Sequence, residues 1–149
     1  MVPEASIRPT ADYDAASALI GLKDWSRAEA VLESFRKLYP DNKLIPDVDK
    51  KLAIAYQADG KPEQAALAYQ RIAGRSSETP ATRQEAAWQA AKLFDQAKRP
   101  DQAQKAYESY VADYPHPLDR DMDARQRVAD IALAANDRST YLQWLQKIV

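Results

Sequence analysis

The sequence predicts an all-α solenoid of stacked helical hairpins, and three observations carry that prediction. One alanine recurs at Ala16, Ala53, Ala91 and Ala129, in near-equal steps along the whole chain. A second marker, Ala28, Ala65, Ala103 and then Tyr141, repeats in the same steps and with no internal gap. Nowhere does the chain show the alternation of period two that a half-buried strand requires. A fixed period of this length, with small and bulky apolar sites alternating, is the signature of helical hairpins that bury their faces only by stacking on neighbours.

Further columns keep the register. Leu32, Tyr69, Tyr107 and Leu145 form one, and Phe35, Ile72, Tyr110 and Ile148 another. Leu19, Tyr56 and Phe94 form a third, which weakens to Ala132 in the last copy. The alanines let two helix backbones approach, and the bulky residues beside them fill the space that remains. The central hairpin, Pro46–Ala73, shows the design: Ala53 and Ala65 sit where its helices must meet, around a turn at Asp59-Gly60-Lys61-Pro62.

The elements follow in chain order. Residues 1–8 read as an irregular lead punctuated by Pro3 and Pro9, and helix one is expected from about Thr10 to Leu22. Asp24 or Ser26 can cap helix two, with Ser26 and Glu29 spaced as a capping box, and Trp25 falls at the turn. That helix ends before Tyr39-Pro40-Asp41-Asn42, because proline cannot continue it. Pro46, Pro62 and Pro100 each open a helix, where a missing N–H costs nothing. Thr79-Pro80 caps and starts a long helix through Ala97. After the rigid connector Tyr114-Pro115-His116-Pro117, helices near Leu118–Ala135 and Arg138–Ile148 close the chain, with Asp137 as the cap between them. The repeats therefore run about 9–45, 46–79, 80–117 and 118–149.

Composition narrows the class. At 149 residues, 46% hydrophobic and 29% charged, the chain has the makings of a folded domain, so disorder is disfavoured. A net charge of −1 gives no reason to expect a nucleic acid or an anionic membrane as partner. No run approaches the roughly 18 apolar residues of a membrane helix. There is no cysteine, hence no disulfide and no thiolate chemistry. The one histidine, His116, lies between two prolines, with no partners for a catalytic triad or a histidine metal site. Asp119, Asp121, Asp123 and Asp130 have the spacing of a calcium loop, but Ala124 stands where that loop needs glycine. The stretch reads better as an acidic helix start. No enzyme, cofactor or metal is expected.

On Ala16, Ala28, Phe35 and Pro40 in the first copy, Ala53, Tyr56, Ala65 and Tyr69 in the second, and Ala91, Phe94, Ala103, Tyr107 and Pro115 in the third, the chain resembles the tetratricopeptide repeat family. The period is longer than that family's usual value of about 34, so the connectors must be extended. Tyr141 departs from the small residue expected in the fourth copy. The resemblance implies four hairpins, about eight helices, in a right-handed superhelix. The Leu-Tyr-Pro-Asp and Asp-Tyr-Pro-His helix endings are similar to those of bacterial cell-envelope members of the Tol–Pal-associated and outer-membrane assembly type.

The same resemblance places the first helix of each hairpin on a concave, partner-binding face. By register that face takes Tyr13 and Ser17, then Lys50, Lys51, Ile54 and Gln57, then Trp88, Gln89, Lys92 and Asp95, and finally Gln126, Arg127 and Asp130. Trp88 would be its exposed aromatic anchor, and Lys51 and Lys92 would meet a carboxylate. The competing reading is a set of ordinary solvated helix faces. Members that clamp a chaperone tail do so with Lys and Asn; Ser17, Lys51 and Gln89 occupy the asparagine places here, so that subclass is not expected.

At the far end, Tyr141, Trp144, Leu145 and Ile148 read as an apolar edge where a polar cap is usual. Either the chain is a piece of a longer repeat protein or that edge packs on another copy. Two functions stay open: a non-catalytic scaffold that binds a protein or peptide segment, and a structural spacer with no ligand of its own.

Overall fold

The computed structural model describes residues 4–149, with side chains from Ile7 onward. Among the described residues there are eight α-helices and no strand. They are α1 (Glu4–Gly21), α2 (Trp25–Leu38), α3 (Ile45–Ala58), α4 (Pro62–Ala73), α5 (Pro80–Gln96), α6 (Pro100–Asp113), α7 (Leu118–Ala134) and α8 (Arg138–Ile148). The chain divides into two compact units, one ending at Ile72 and the other running Ala73–Val149.

In the first unit α1 packs on α2 and α2 on α3. Both alanine markers are fully buried: Ala16 and Ala53 on the first helices, Ala28 and Ala65 on the second. Leu32, Phe35, Val48 and Leu52 fill the space between them. Two buried carboxylates tie the unit further. Asp49 on α3 accepts from Arg71 at 2.9 Å and faces Arg36 of α2 at 3.2 Å. Glu29 on α2 accepts from Lys61 at 2.7 Å; burial pushes its carboxyl above the usual range.

In the second unit α5 packs on α6, α6 on α7 and α7 on α8. Ala91, Ala103 and Ala129 are fully buried, beside Phe94, Tyr107, Tyr110 and Val128. Gln84 of α5 donates to the Tyr110 hydroxyl at 3.1 Å and to the His116 carbonyl at 2.5 Å, tying the connector to the hairpin.

The turn inside each hairpin has one geometry, repeated four times. Lys23, Gly60, Lys98 and Asn136 have φ of 59°, 72°, 56° and 60°. After each, the next N–H reaches back to the last turn: Asp24 to the Leu19 carbonyl, Lys61 to Tyr56, Arg99 to Phe94 and Asp137 to Ala132. This is the Schellman ending, in which a left-handed residue lets orphan carbonyls find donors. The four turns keep step with the two alanine columns, so the backbone itself supplies a third marker of the period.

Helix starts follow the sequence where proline or a cap dictates them. Pro62 and Pro100 begin α4 and α6, and Pro46 lies in the first turn of α3. Thr79 accepts from the Thr82 N–H at 3.2 Å and Asp137 from the Thr140 N–H at 3.1 Å. Two expectations fail. Of the lead over residues 1–8, residues 1–3 lie outside the described residues, and from Glu4 the chain is already helical, with Pro9 inside α1. Proline forfeits a single N–H bond, and its fixed φ is itself helical, so one turn of helix can precede it. The Ser26–Glu29 capping box does not form: α2 begins at Trp25, the Asp24 side chain makes no cap bond, and Glu29 turns inward to Lys61.

Candidate partner-binding face

The first helices of the hairpins carry the residues expected on a binding face. In the first unit, α1 and α3 present Tyr13 and Lys51 to one another, the ammonium 5.2 Å from the ring centre. Ser17 donates to the Tyr13 carbonyl at 3.0 Å. Gln57 accepts from the Tyr69 hydroxyl at 3.3 Å. Ile54 is exposed and Lys50 half-buried. These side chains are largely engaged with their own unit.

The second unit gathers more. Arg127 of α7 forms a two-pronged bond to Asp95 of α5, with both N–O distances 2.7 Å. That bond holds the guanidinium pKa above its ordinary value. The Tyr107 hydroxyl lies 3.4 Å from the same carboxylate, and burial, with Asp95 adding to it, pushes its pKa up to about 12. Two clefts flank the pair and share Arg127. One, of about 290 Å³, is lined by Trp88, Lys92, Tyr107, Asp123, Gln126 and Arg127. The other, of about 370 Å³, lies between Asp95, Lys98 and Pro100 on one side and Asp130, Ile131, Ala134 and Ala135 on the other. Around them Gln126 donates to Asp130 and Gln89 to Glu85, each at 2.9 Å. Lys92 is exposed, and after the hydrogen bonds from Gln89 and Arg120 its charge helps hold the Glu85 carboxyl below its ordinary pKa.

Trp88 is not the exposed anchor that its register suggested. It is 9% exposed, its ring centre 5.1 Å from Tyr110 and 6.0 Å from Tyr107, with the Arg120 guanidinium 5.3 Å over it. A large ring beside two tyrosines of α6 gains more by packing on them than by facing water. Only an edge of it reaches the cleft. Arg120 is held in turn by Glu85 at 2.6 Å.

Of the apolar edge expected at the end, Trp144 alone departs from the expectation. Trp144 is 8% exposed, turned inward with Lys147 4.0 Å over its ring. Tyr141, Leu145 and Ile148 are half-buried. Leu142, Val149 and, from α7, Leu133 are exposed there, and Leu133 and Leu142 line a cleft of about 400 Å³ with Tyr141, Asn136 and Arg138. The acidic run lies on α7, where Asp121 is buried against Arg125 at 2.8 Å.

Two members of the first cleft were missed by register alone. Tyr107 comes from α6, outside the set of first helices. Asp123 precedes Gln126 and Arg127 by three and four positions, a helical spacing that places it on their face and would have found it.

Residues 10–42 and 85–117 match the family model described as tetratricopeptide repeat. The two stretches begin two repeat lengths apart and cover the first and third hairpins. No curated protein matches the chain. The helical hairpins and buried alanine markers make an all-α, solenoid-type fold, in which two hairpins are similar to the tetratricopeptide repeat.

Proposed function

We propose that this chain is a non-catalytic protein-interaction scaffold, and that the α5–α7 face of its second unit binds a segment of a partner protein. Repeats of this family generally hold proteins together rather than catalyse reactions. The observation that carries the reading is the pair of clefts on either side of the Arg127–Asp95 bond. The first is lined by an edge of Trp88 and by the exposed Lys92. That combination suits a segment with one apolar side chain and a carboxylate close by. A peptide-display selection on the purified chain tests it. Enriched peptides should carry an acidic residue near an aromatic or aliphatic one and lose affinity at least tenfold against Lys92→Glu. Peptides that bind both proteins equally would remove the face from consideration.

A structural role in a larger assembly is the second reading, favoured by the exposed Leu133 and Leu142 beside Tyr141. The Tyr-Pro helix endings are what supports a bacterial cell-envelope setting for either role. Fractionating cells that express the full reading frame tests that setting, and recovery only in the cytosolic fraction would reject it.

A further inference from the structure

Helices α1 and α8 each leave open a face that its equivalents in the chain bury. On α3 and α7, each of which packs on the second helix of the hairpin before it, a stripe is buried: Val48, Leu52 and Ala55 on the one, Ala124, Val128 and Ile131 on the other. At the same register α1 has Ala11, Ala15 and Ala18, and all three are exposed. The stripe runs on to Leu22, which is 78% exposed. The first helix thus presents, uncovered, the face that its equivalents use to seat on a preceding hairpin.

The last helix presents the counterpart. On α2 and α6, each of which a further hairpin packs against, one column is buried: Ala28, Leu32 and Phe35 on α2, and Ala103, Tyr107 and Tyr110 on α6, where Tyr107 also lines a cleft with residues of α7. On α8 it is Tyr141, Leu145 and Ile148, all partly exposed. The clefts agree. Asp95, Lys98 and Pro100, moved on by one repeat, become Leu133, Asn136 and Arg138, which line the cleft at the α8 end. Where Asp95, Lys98 and Pro100 stand, α7 supplies the opposite wall with Ile131, Ala134 and Ala135. The α1 residues at those three positions are Ala18, Gly21 and Leu22.

We propose that the chain self-associates head to tail, with α1 of one copy seated on the α8 face of the next as α7 seats on α6. Small residues of α1 meet the bulky Tyr141 and Leu142, and Leu22 enters the cleft beside Leu133. Because the two surfaces differ, the contact is heterologous, and each copy in a dimer leaves one head or one tail open to a further copy. This surface is separate from the α5–α7 face, and its test does not depend on any partner.

Sedimentation equilibrium of the full chain decides it, with Ala15→Glu and Leu142→Glu as variants at exposed positions and helicity checked by circular dichroism. The wild type should rise in average mass above 16.7 kDa with concentration and continue past the dimer. Each variant alone should stay monomeric. Their equimolar mixture should stop at a dimer, since one intact head and one intact tail remain. A wild type that stays monomeric at the highest soluble concentration overturns the proposal. So does a dimer that Leu142→Glu abolishes and Ala15→Glu leaves intact, which is a symmetric α8 contact. As a second measurement in this cysteine-free chain, Leu22→Cys and Asn136→Cys proteins, mixed and oxidised, should cross-link to each other in preference to themselves. Predominant self-linked Asn136→Cys dimers would equally reject the head-to-tail contact.

Discussion

Trp88→Ala removes a core ring, and its effect can be worked out from its surroundings. The side chain is 9% exposed and meets two tyrosine rings at 5.1 and 6.0 Å. Truncating a buried tryptophan costs about 3–5 kcal/mol, as lost transfer energy plus the cavity left behind. Each aromatic pair is worth about 0.5–1.5 kcal/mol beyond its area, which puts this site in the upper half of that range. At roughly 0.05–0.15 kcal/mol per residue, a unit the size of Ala73–Val149 has about 4–11 kcal/mol to lose. The variant therefore forfeits between about a third and all of that unit's stability. Urea denaturation followed by circular dichroism at equilibrium measures it. A Trp88→Ala protein within about 1 kcal/mol of wild type would refute the reasoning, because the ring would then not be packing on Tyr107 and Tyr110. Loss of partner binding in this variant is for the same reason no evidence about the face. Lys92→Ala is the cleaner probe: the side chain is exposed, and surface substitutions of this kind stay within about 0.5 kcal/mol.

Lys98→Gly should stabilise the chain by about 0.5–1 kcal/mol, the balance of two backbone effects. The left-handed turn costs a side-chain-bearing residue about 1–2 kcal/mol, against about 0.5–1 for the extra freedom of glycine when unfolded. Thermal denaturation should show a rise of about 1–4 °C, with Gly60→Ala moving the other way; a fall for Lys98→Gly contradicts the account. Asp49→Ala should destabilise by about 2–3 kcal/mol in urea, because it strands Arg36 and Arg71 beside an empty buried position, while their own partial exposure keeps the loss below that of a fully buried pair. Alkaline titration should lower stability as pH rises from 10 to 12. Burial raises the Tyr56 and Tyr107 hydroxyls to about 12, so the unfolded chain releases those protons first; the contribution is complete below pH 10 and lost as pH passes through 12. Tyr56→Phe with Tyr107→Phe should flatten that slope in a denaturation series, and an unchanged slope would show that other groups cause it.

What the sequence disclosed and what it hid have physical reasons. Alanine at a fixed step is legible because only a small residue permits the closest approach of two helices, and Ala16, Ala53, Ala91 and Ala129 are all fully buried. Proline and cap residues act locally, so Pro62, Pro100, Thr79 and Asp137 mark helix starts from sequence alone. Glu29 was open to misreading because its partner, Lys61, lies far along the chain on the next hairpin, while the capping box it resembles is a local pattern. The left-handed residue of the hairpin turn is advertised by Gly60 and by Asn136, whereas Lys23 and Lys98 adopt it with no local signal in the sequence. Trp88 and Trp144 were placed by Cα register, which gives the direction a side chain leaves the helix. It does not give the direction in which a large ring then folds.

The polar groups on the α5–α7 face constrain what a partner can gain there. Arg127 already holds both oxygens of Asp95, Gln126 holds Asp130, and Glu85 is shared by Gln89 and Arg120. Breaking any of these to satisfy a newcomer exchanges one hydrogen bond for another, with little net gain. The same pairings hold the side chains in place, so little rotamer freedom is lost when the face is covered. If the proposed face binds a partner, specificity rests on the exposed Lys92, whose charge also acts on Glu85, and on the edge of Trp88 that reaches the cleft. One exposed ammonium gives a shallow dependence on salt, because few charges are screened. Affinity on this face is therefore expected to vary more with the size of the partner's apolar side chain than with its net charge.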